Sequence, residues 1–318
     1  ASGVRDGASV HRGEAVTVRI GILGCGYVGL ELARQLADDH EVIGVRRSSA
    51  GLDAVGATGA TAIQADVTDG ETLGSVPDVD AIVFAASSGG RGAEAAERVY
   101  VDGLRTAIEA FGDRDDSPEQ LIYTSSTGVY GDHGGGWVDE ETPISPTTDK
   151  TRVLAEAERV AIEEANELGI DGTVARFAGL YGPERYRLDR YLNGPVTEGY
   201  LNMIHRDDAA GVVRYLLETG RARNESVLVV DDEPVDKHNF ADWLADECGV
   251  TRPEKRSKAE RIADGDLSVA AERRIRTSKR CSNDRLRALG YECAYPTFRE
   301  GYRDAVASFR AENADFTG

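Results

Sequence analysis

Hydrophobic positions along the first 180 residues follow two alternating patterns. Short, continuous apolar runs rich in β-branched residues predict buried strands, and the segments between them carry apolar residues at helical spacing. The predicted strands cover residues 16–23, 41–46, 60–65, 81–86, 120–125 and 172–177, and the predicted helices cover residues 29–38, 93–111 and 151–168. Because crossover helices bury both faces of a parallel sheet, this alternation predicts an α/β fold with a doubly wound parallel sheet.

The regular alternation of predicted strands and helices ends after residue 181. Residues 182–203 contain several glycines and prolines and are predicted to form loops, whereas residues 251–285 are rich in charged residues and are predicted to be mostly exposed. Between and around them the pattern predicts helices at 207–219 and 239–248 and a strand at 226–230. We interpret this part as a smaller C-terminal region that forms one wall of a cleft. Whether the chain returns to the main sheet around residues 200–235 is left open.

The first predicted strand runs into a glycine pattern, Gly24-Cys25-Gly26-Tyr27-Val28-Gly29. In a GxGxxG turn between a strand and a helix, the glycines allow a tight turn and close approach of a pyrophosphate, which the helix N-terminus attracts. The alternative is a structural glycine turn. We expect the loop to bind NAD(P), with Cys25 packed beneath the pyrophosphate. The chain then divides into a flexible leader at 1–15, a Rossmann-type NAD(P)-binding domain at 16–180 and a smaller substrate-binding region at 181–318.

The second strand ends in Arg46-Arg47-Ser48. An acidic residue at this point would bind the 2′-hydroxyl of NAD, whereas guanidinium groups and a hydroxyl suit a 2′-phosphate. We therefore predict NADP as the cofactor, with NAD possible if the two arginines are only solvated surface residues.

The charge balance excludes some partners. The 318 residues include 56 acidic and 37 basic ones, which gives a net charge of −19, and only 5 of the basic residues are Lys. Phosphate backbones and anionic membrane surfaces would be repelled, so no nucleic acid and no membrane is expected. High salt would screen such a surface. We infer a halophilic source, with an ordinary acidic cytosolic protein as the alternative.

The arrangement of the cysteines and the lengths of the apolar runs indicate in which cellular compartment the protein is found. The four cysteines are not arranged as CxxC pairs or zinc-ligand spacings, so no metal site is predicted. No apolar run approaches the length of a membrane span, and no secretory hydrophobic region is evident. We expect a cytoplasmic protein.

Several segments together resemble the extended short-chain dehydrogenase/reductase (SDR) superfamily, in its NAD-dependent epimerase/dehydratase group. The similarity covers about residues 18–235. It implies that Asp66 and Val67 contact the adenine and that Ala85, Ala86 and Ser87 lie beneath the nicotinamide ribose. The matching segments are Thr124–Gly131 (TSSTGVYG), Arg176–Pro183 (RFAGLYGP), Ile204–Asp208 (IHRDD) and Val229–Pro234 (VVDDEP). Ser126 falls at the family's catalytic serine.

The chain departs from this family in two places. Leu23 stands where the family usually has a glycine, and the YxxxK motif is missing, with Thr148 and Arg152 at its two positions in our alignment. The chain therefore resembles an atypical subgroup. Ser126 would polarise a carbonyl and Arg152 would hold the nicotinamide ribose. The proton would come from Tyr130, from His205 or from water, unless Tyr130 is a structural residue of its turn and His205 only starts a helix.

These features predict an NADP-dependent oxidoreductase or epimerase/dehydratase-type enzyme that acts on a small carbonyl, a sugar or a sugar nucleotide by hydride transfer. The basic and aromatic cluster Arg185, Tyr186, Arg187 and Arg190 would suit a phosphate or sugar nucleotide. The main alternative is a catalytically weak NAD(P)-binding sensor or regulatory protein. A nucleotide-sugar 6-dehydrogenase is disfavoured, because its catalytic cysteine needs a glycine-rich loop that the later cysteines lack.

The resemblance also implies a possible homodimer through the helices at 93–111 and 151–168.

Overall fold

The computed structural model describes residues 17–89, 92–265 and 267–314. The leader predicted at 1–15 lies outside the described residues.

A seven-stranded parallel sheet forms the centre of the protein, which confirms the predicted fold class. The strands are β1 Arg19–Leu23, β2 Glu41–Arg46, β3 Thr61–Gln64, β4 Ala81–Phe84, β5 Gln120–Ser126, β7 Asp171–Phe177 and β12 Glu225–Val229. Their order in the sheet is β12-β7-β5-β4-β1-β2-β3, and every pairing is parallel. The continuous apolar runs explain this arrangement, because central strands such as β1 and β4 are covered on both faces.

Helices cover the two faces of the sheet. They are α1 Tyr27–Leu36, α2 Leu52–Gly56, α3 Gly70–Leu73, α4 Ala93–Glu97, α5 Gly103–Gly112, α6 Asp149–Arg159, α7 Ala165–Glu167 and α9 Arg206–Thr219. On one face α1 and α9 bury their apolar side chains, and on the other face α5 and α6 with its π-helical continuation do so. Two π-helical turns, Arg98–Asp102 and Val160–Glu164, join α4 to α5 and α6 to α7. The predicted helices at 93–111 and 151–168 are therefore each one continuous helical rod.

The chain returns to the main sheet after residue 200. Strand β12 pairs in parallel with β7, and α9 packs against the sheet beside α1. Residues 206–229 thus add a helix and an edge strand to the layers of the main sheet.

A smaller region with its own apolar core stands above the carboxyl ends of the strands. Tyr181, Phe240, Leu244, Phe298 and Tyr302 are among the buried residues of that core. The remaining short strands of the described residues are β6 Trp137–Val138, β8 Gly179–Tyr181, β9 Val196–Thr197, β10 Tyr200–Leu201, β11 Met203–His205, β13 Val235–Asp236, β14 Lys255–Arg256 and β15 Arg280–Cys281. The remaining helices are α8 Leu188–Leu192, α10 Lys237–Cys248, α11 Lys258–Ala263, α12 Val269–Arg276, α13 Asp284–Leu289, α14 Phe298–Gly301 and α15 Arg303–Ala314. Of these, β6, β15 and α13 bury their apolar side chains in the core of the main sheet.

The expectation of loops at 182–203 was only partly right, because this segment contains α8, β9 and β10, and β11 begins at Met203. Most described residues of the stretch at 251–285 are exposed or half-buried, and four are buried: Ser278, Lys279, Cys281 and Asn283. Pairing of β15 with β6, a contact distant in sequence, carries this stretch into the interior. Among the described residues, no helix combines the length and the apolar character that a membrane span requires.

Candidate active site

The glycine loop connects β1 to α1 at the carboxyl edge of the sheet. Gly24 has a φ of +89°, and a Cβ there would lie 2.3 Å from the Ala86 Cα, so only glycine fits. The Gly26 N–H donates to the Gly24 carbonyl at 2.7 Å and closes the turn. A Cβ at Gly26 would meet no atom nearer than 3.7 Å. The loop therefore presents bare backbone to the space above the N-terminus of α1, which is an arrangement that accommodates a pyrophosphate.

A cavity of about 570 Å³ opens above this loop, and we call it the nucleotide cavity. It brings together most of the residues that the sequence singled out. These are Gly24, Gly26, Tyr27, Val28, Gly29, Arg46, Arg47, Ser48, Asp66, Val67, Ala85, Ala86, Ser87 and Ser126. The bare backbone at Gly26, the α1 N-terminus and the two arginines fit a dinucleotide with its phosphates at the glycine loop.

Cys25 lies under the loop rather than in the cavity. The side chain is fully buried, and burial raises the pKa of its thiol to about 12. Its carbonyl accepts a hydrogen bond from the Arg46 guanidinium at 2.7 Å. Cys25 therefore packs the loop and positions Arg46, and it does not line the described cavity.

Ser126 stands at the end of β5, where the nucleotide cavity meets a second cavity. Its Oγ accepts a hydrogen bond from the Gly128 N–H at 3.2 Å and caps the 3-10 turn Thr127–Tyr130. Because this bond occupies a lone pair and not the proton, the Ser126 hydroxyl can still donate to a substrate oxygen.

The start of α6 corrects the placement of Arg152. Thr148 is the N-cap of α6, and its hydroxyl accepts from the Thr151 N–H in a reciprocal capping arrangement. Arg152 points outward, with 58% of its side chain exposed and an ion pair to Asp149 at 2.6 Å. It lines neither cavity, whereas Lys150 and Leu154, one turn apart on the same helix, line both. Of the two aligned positions, Thr148 therefore lines the basic cavity described below and Arg152 lines neither.

Tyr130 and His205, the two proton-donor candidates, are buried away from both described cavities. The Arg176 guanidinium donates to the Tyr130 hydroxyl at 2.6 Å, and burial raises the pKa of Tyr130 to about 12. His205 is the N-cap of α9, and burial lowers its pKa. Neither side chain reaches a described cavity, where a proton donor to a substrate would have to lie: Tyr130 contacts Arg176, and His205 caps α9.

The second cavity, which we call the basic cavity, has a volume of about 960 Å³. Ser126, Lys150, Leu154, Leu180 and Arg185 belong to both cavities. Among the described lining residues Asp149 is the single acidic one, and eight are basic: Lys150, Arg185, Arg187, Arg190, Lys237, Arg273, Arg274 and Lys279. The sequence pattern indicated the three arginines at 185–190. The other five come from α6, α10, α12 and the segment before β15, and no local pattern marks them.

Tyr100 is a further residue that the sequence did not single out. It sits in the π-helical turn Arg98–Asp102 and lines the nucleotide cavity. The Ser88 N–H lies 3.4 Å from its hydroxyl. No local motif marks this tyrosine, because its position over the cavity depends on the packing of the helix against the sheet.

Comparisons with known proteins agree with this architecture. A family model described as the NAD dependent epimerase/dehydratase family matches residues 20–232. The chain is 27% identical to protein YeeZ of Escherichia coli over 288 residues, which are 87% of this chain and 96% of YeeZ. A solved structure from Methylobacillus flagellatus, assigned to the NAD-dependent epimerases/dehydratases, is 31% identical with a TM-score of 0.73 and covers 92% of this chain and 99% of that one.

A more distant solved structure shares the fold. It is dTDP-glucose 4,6-dehydratase of Bacillus anthracis in complex with NAD, with 18% identity, a TM-score of 0.73, and coverage of 94% of this chain and 98% of that one. Because the family model spans the glycine loop, the main sheet and the return of the chain to it, the protein belongs to the NAD-dependent epimerase/dehydratase family.

Proposed function

We propose that the protein is an NADP-dependent oxidoreductase or epimerase/dehydratase-type enzyme whose substrate carries phosphate groups, as a sugar nucleotide does. One observation carries the proposal: the nucleotide cavity and the basic cavity meet at Ser126 and Lys150. A dinucleotide above the glycine loop and an anionic substrate in the basic cavity would therefore approach each other at a hydroxyl and an ammonium group.

The cofactor half of the proposal rests on the loop and on the end of β2. The α1 N-terminus would bind the pyrophosphate, and Arg47 and Ser48, both exposed at the cavity, would bind a 2′-phosphate. When bound, the nicotinamide supplies hydride transfer. No acidic side chain ends β2 to select the free 2′-hydroxyl, which favours NADP over NAD.

The substrate half rests on charge. In a protein of net charge −19 with 5 lysines, three lysines line the basic cavity: Lys150, Lys237 and Lys279. Arg187 adopts a left-handed backbone conformation, with a φ of +53°, at the start of α8. Strained non-glycine backbone of this kind is often kept at binding sites. A cationic cleft in an acidic surface concentrates anions, and its arginines can bind phosphate oxygens in pairs.

Ser126 would act on the reacting oxygen. A hydroxyl that donates to an oxygen on which negative charge develops stabilises the transition state more than the ground state. Loss of such a donor costs about 10²-fold or more in kcat, so Ser126→Ala should remove most turnover while leaving cofactor binding intact.

Binding measurements test the proposal directly. NADPH and NADH would be titrated by fluorescence, and then UDP, dTDP and uncharged uridine by calorimetry in the presence of NADP. We expect tighter binding of NADPH than NADH, and of the diphosphates than uridine. Arg190→Gln should weaken UDP about tenfold, because a charge-assisted bond is worth about 1.5–3 kcal/mol, and Arg310→Gln on α15 is the matched control. Equal binding of UDP and uridine would refute the anionic substrate.

The sensor alternative is supported by the missing tyrosine and lysine pair, since Thr148 serves as a helix cap and Arg152 points outward. A sensor would bind NADPH saturably and would reduce no carbonyl compound and oxidise no sugar nucleotide. Cofactor absorbance at 340 nm detects net oxidation or reduction of dTDP-glucose and UDP-glucose. Chromatography of the products detects epimerisation or dehydration, which regenerate the cofactor and leave the absorbance unchanged. A protein that gives neither signal while it binds NADPH is a sensor.

A further inference from the structure

Tyr100 and Lys150 approach the nucleotide cavity from two different helical rods. Tyr100 belongs to the π-helical turn after α4, and Lys150 to the first turn of α6. Both line the nucleotide cavity together with Ser87 and Ser126. π-Helical turns reorient side chains locally and are frequent at functional sites.

The surroundings of Tyr100 are unusual among the tyrosines near the two cavities. Burial alone would raise the pKa of its hydroxyl, but hydrogen bonds with Ser88, the positive charge of Lys150 and a hydrogen bond with Ser87 outweigh it, so the pKa lies below its ordinary value. By contrast, burial raises the pKa values of Tyr27 and Tyr186. A tyrosine that ionises more easily, near a cation, is better suited to exchange a proton than the other tyrosines of the two cavities.

Other groups at the junction are less suited to this role. The Ser126 hydroxyl has no acid or base capacity near neutral pH, although it can donate a hydrogen bond. The Tyr27 hydroxyl donates to the Pro183 carbonyl at 2.9 Å and holds the loop that carries Arg185. Tyr130 and His205 are buried outside both described cavities.

We propose that Tyr100 is the acid/base of the reaction and that Lys150 is its charged partner, so that two helical rods supply the proton-transfer pair. This inference rests on the proposed oxidoreductase function. When a secondary alcohol is oxidised, its O–H bond breaks and the proton passes to the Tyr100 phenolate. Its C–H bond breaks, hydride leaves to the oxidised nicotinamide, and a C=O bond forms. In the reverse direction Tyr100 returns the proton to the carbonyl oxygen.

The first test needs no substrate. Protein labelled with 13C at the tyrosine Cζ is titrated by NMR, and the resonance missing from Tyr100→Phe identifies Tyr100. We expect it to titrate below about 10, the ordinary tyrosine value, and to titrate higher in Lys150→Met. Lys150→Arg should retain the low value, because the charge is kept. Arg152→Met, which removes a cation on the same helix that faces solvent, should leave the titration unchanged. A Tyr100 resonance that does not respond to Lys150→Met overturns the proposal.

The second test uses turnover of dTDP-glucose or UDP-glucose. Tyr100→Phe should lower kcat about 10²–10⁴-fold while NADPH affinity and the unfolding midpoint stay unchanged. It should also abolish the lower limb of the pH profile, which a merely structural tyrosine would not do. Should the sugar nucleotides fail to bind, the proposed function fails while the NMR titration still decides on the pair. Should they react while Tyr100→Phe retains full kcat, only this inference is overturned.

Discussion

Arg46 and Arg47 are neighbours in sequence but differ in their contacts. The Arg46 guanidinium donates to the Cys25 carbonyl and packs against Gly51, where a Cβ would lie 2.5 Å from its Nε. Arg46 is therefore partly a structural residue of the glycine loop. Arg47 is exposed at the edge of the cavity, and its side chain does not hold the glycine loop as Arg46 does.

This difference predicts distinct effects of two substitutions. Arg47→Ala should weaken NADPH about tenfold or more and leave NADH nearly unchanged, because it removes a charge-assisted contact to the 2′-phosphate alone. Arg46→Ala should weaken both cofactors, since it also loosens the loop. Fluorescence titration measures the four dissociation constants. Equal affinity of the wild type for NADPH and NADH would contradict the predicted NADP preference.

Asp231 is a buried carboxyl group that the proposed chemistry does not use. Only 1% of it is exposed, its Oδ1 accepts from the Glu233 N–H at 3.3 Å, and its Oδ2 meets no hydrogen-bond donor among the described residues. Burial, above all, raises its pKa well above the ordinary value of 3.8. The folded protein thus retains a proton that the unfolded chain releases.

The sign of the pH effect follows from that shift. The contribution of Asp231 to stability is fully present below about pH 4, the ordinary aspartate range, and is lost as pH rises toward the folded-state pKa. Asp231→Asn should therefore raise the unfolding temperature at pH 8, and the gain should shrink as the pH is lowered. Thermal unfolding by circular dichroism checks this, with the exposed Asp53→Asn as control. A destabilised Asp231→Asn protein at pH 8 would contradict it.

At the scale of elements, α6 decides which side chains reach the site. Its start is set by the Thr148 cap, and the 3.6-residue period then turns Lys150 and Leu154 toward the cavities and Arg152 toward solvent. The residue at which α6 begins therefore determines which of its side chains face the cavities and which face solvent.

The cap itself can be tested. Thr148→Ala should lower the free energy of unfolding by about 0.5–2 kcal/mol, because the Thr151 N–H loses its partner, while NADPH affinity stays the same. Thr148→Ser keeps the hydroxyl and should retain most of the stability. Urea unfolding and NADPH titration give both quantities. Unchanged stability of Thr148→Ala would show that the cap contributes nothing.

The rods that contain α5 and α6 also carry the proposed dimer face. Arg105 forms ion pairs with Glu156 and Glu164, and Arg159 pairs with Glu156, Glu163 and Glu164, all partly exposed. An isologous four-helix contact would bury this network. Light scattering in high salt should give the mass of two chains, and Arg105→Glu should give one. A wild-type monomer would refute the dimer.

At the scale of the whole molecule, charge is unevenly distributed. The net charge is −19, yet the basic cavity gathers eight cationic side chains among its described lining residues. Self-repulsion of the acidic surface destabilises the compact state in dilute buffer, and salt screens it as the Debye length falls from about 10 Å at 0.1 M to about 3 Å at 1 M.

The unfolding temperature should therefore rise between 0.1 and 3 M KCl. Replacing the exposed residues Asp115 and Asp116 with asparagines should raise the unfolding temperature at 0.1 M KCl and change it less at 3 M. This comparison separates charge screening from effects of salt that do not depend on surface charge. An unfolding temperature that does not depend on salt would contradict the halophilic interpretation.

The sequence by itself determined the main sheet, the glycine loop and the candidate nucleotide-binding residues. Strand periodicity and a GxGxxG turn act over a few residues, and the carboxyl ends of parallel strands necessarily meet at one edge. These patterns singled out the glycine loop and the end of β2, and the resemblance to the family added Asp66, Val67, Ala85, Ala86, Ser87 and Ser126. Together fourteen of these residues line one cavity in the structure.

Only the tertiary structure decided which titratable groups face the nucleotide cavity and the basic cavity. Residue type suggested Tyr130, His205 and Arg152, but packing buries the first two and the start of α6 turns the third outward. Tyr100, Lys150, Lys237 and Lys279 come from segments distant in sequence and carry no local signal. Burial and charge proximity are properties of the packed chain, because they depend on which helices and strands lie side by side and not on neighbours in the sequence.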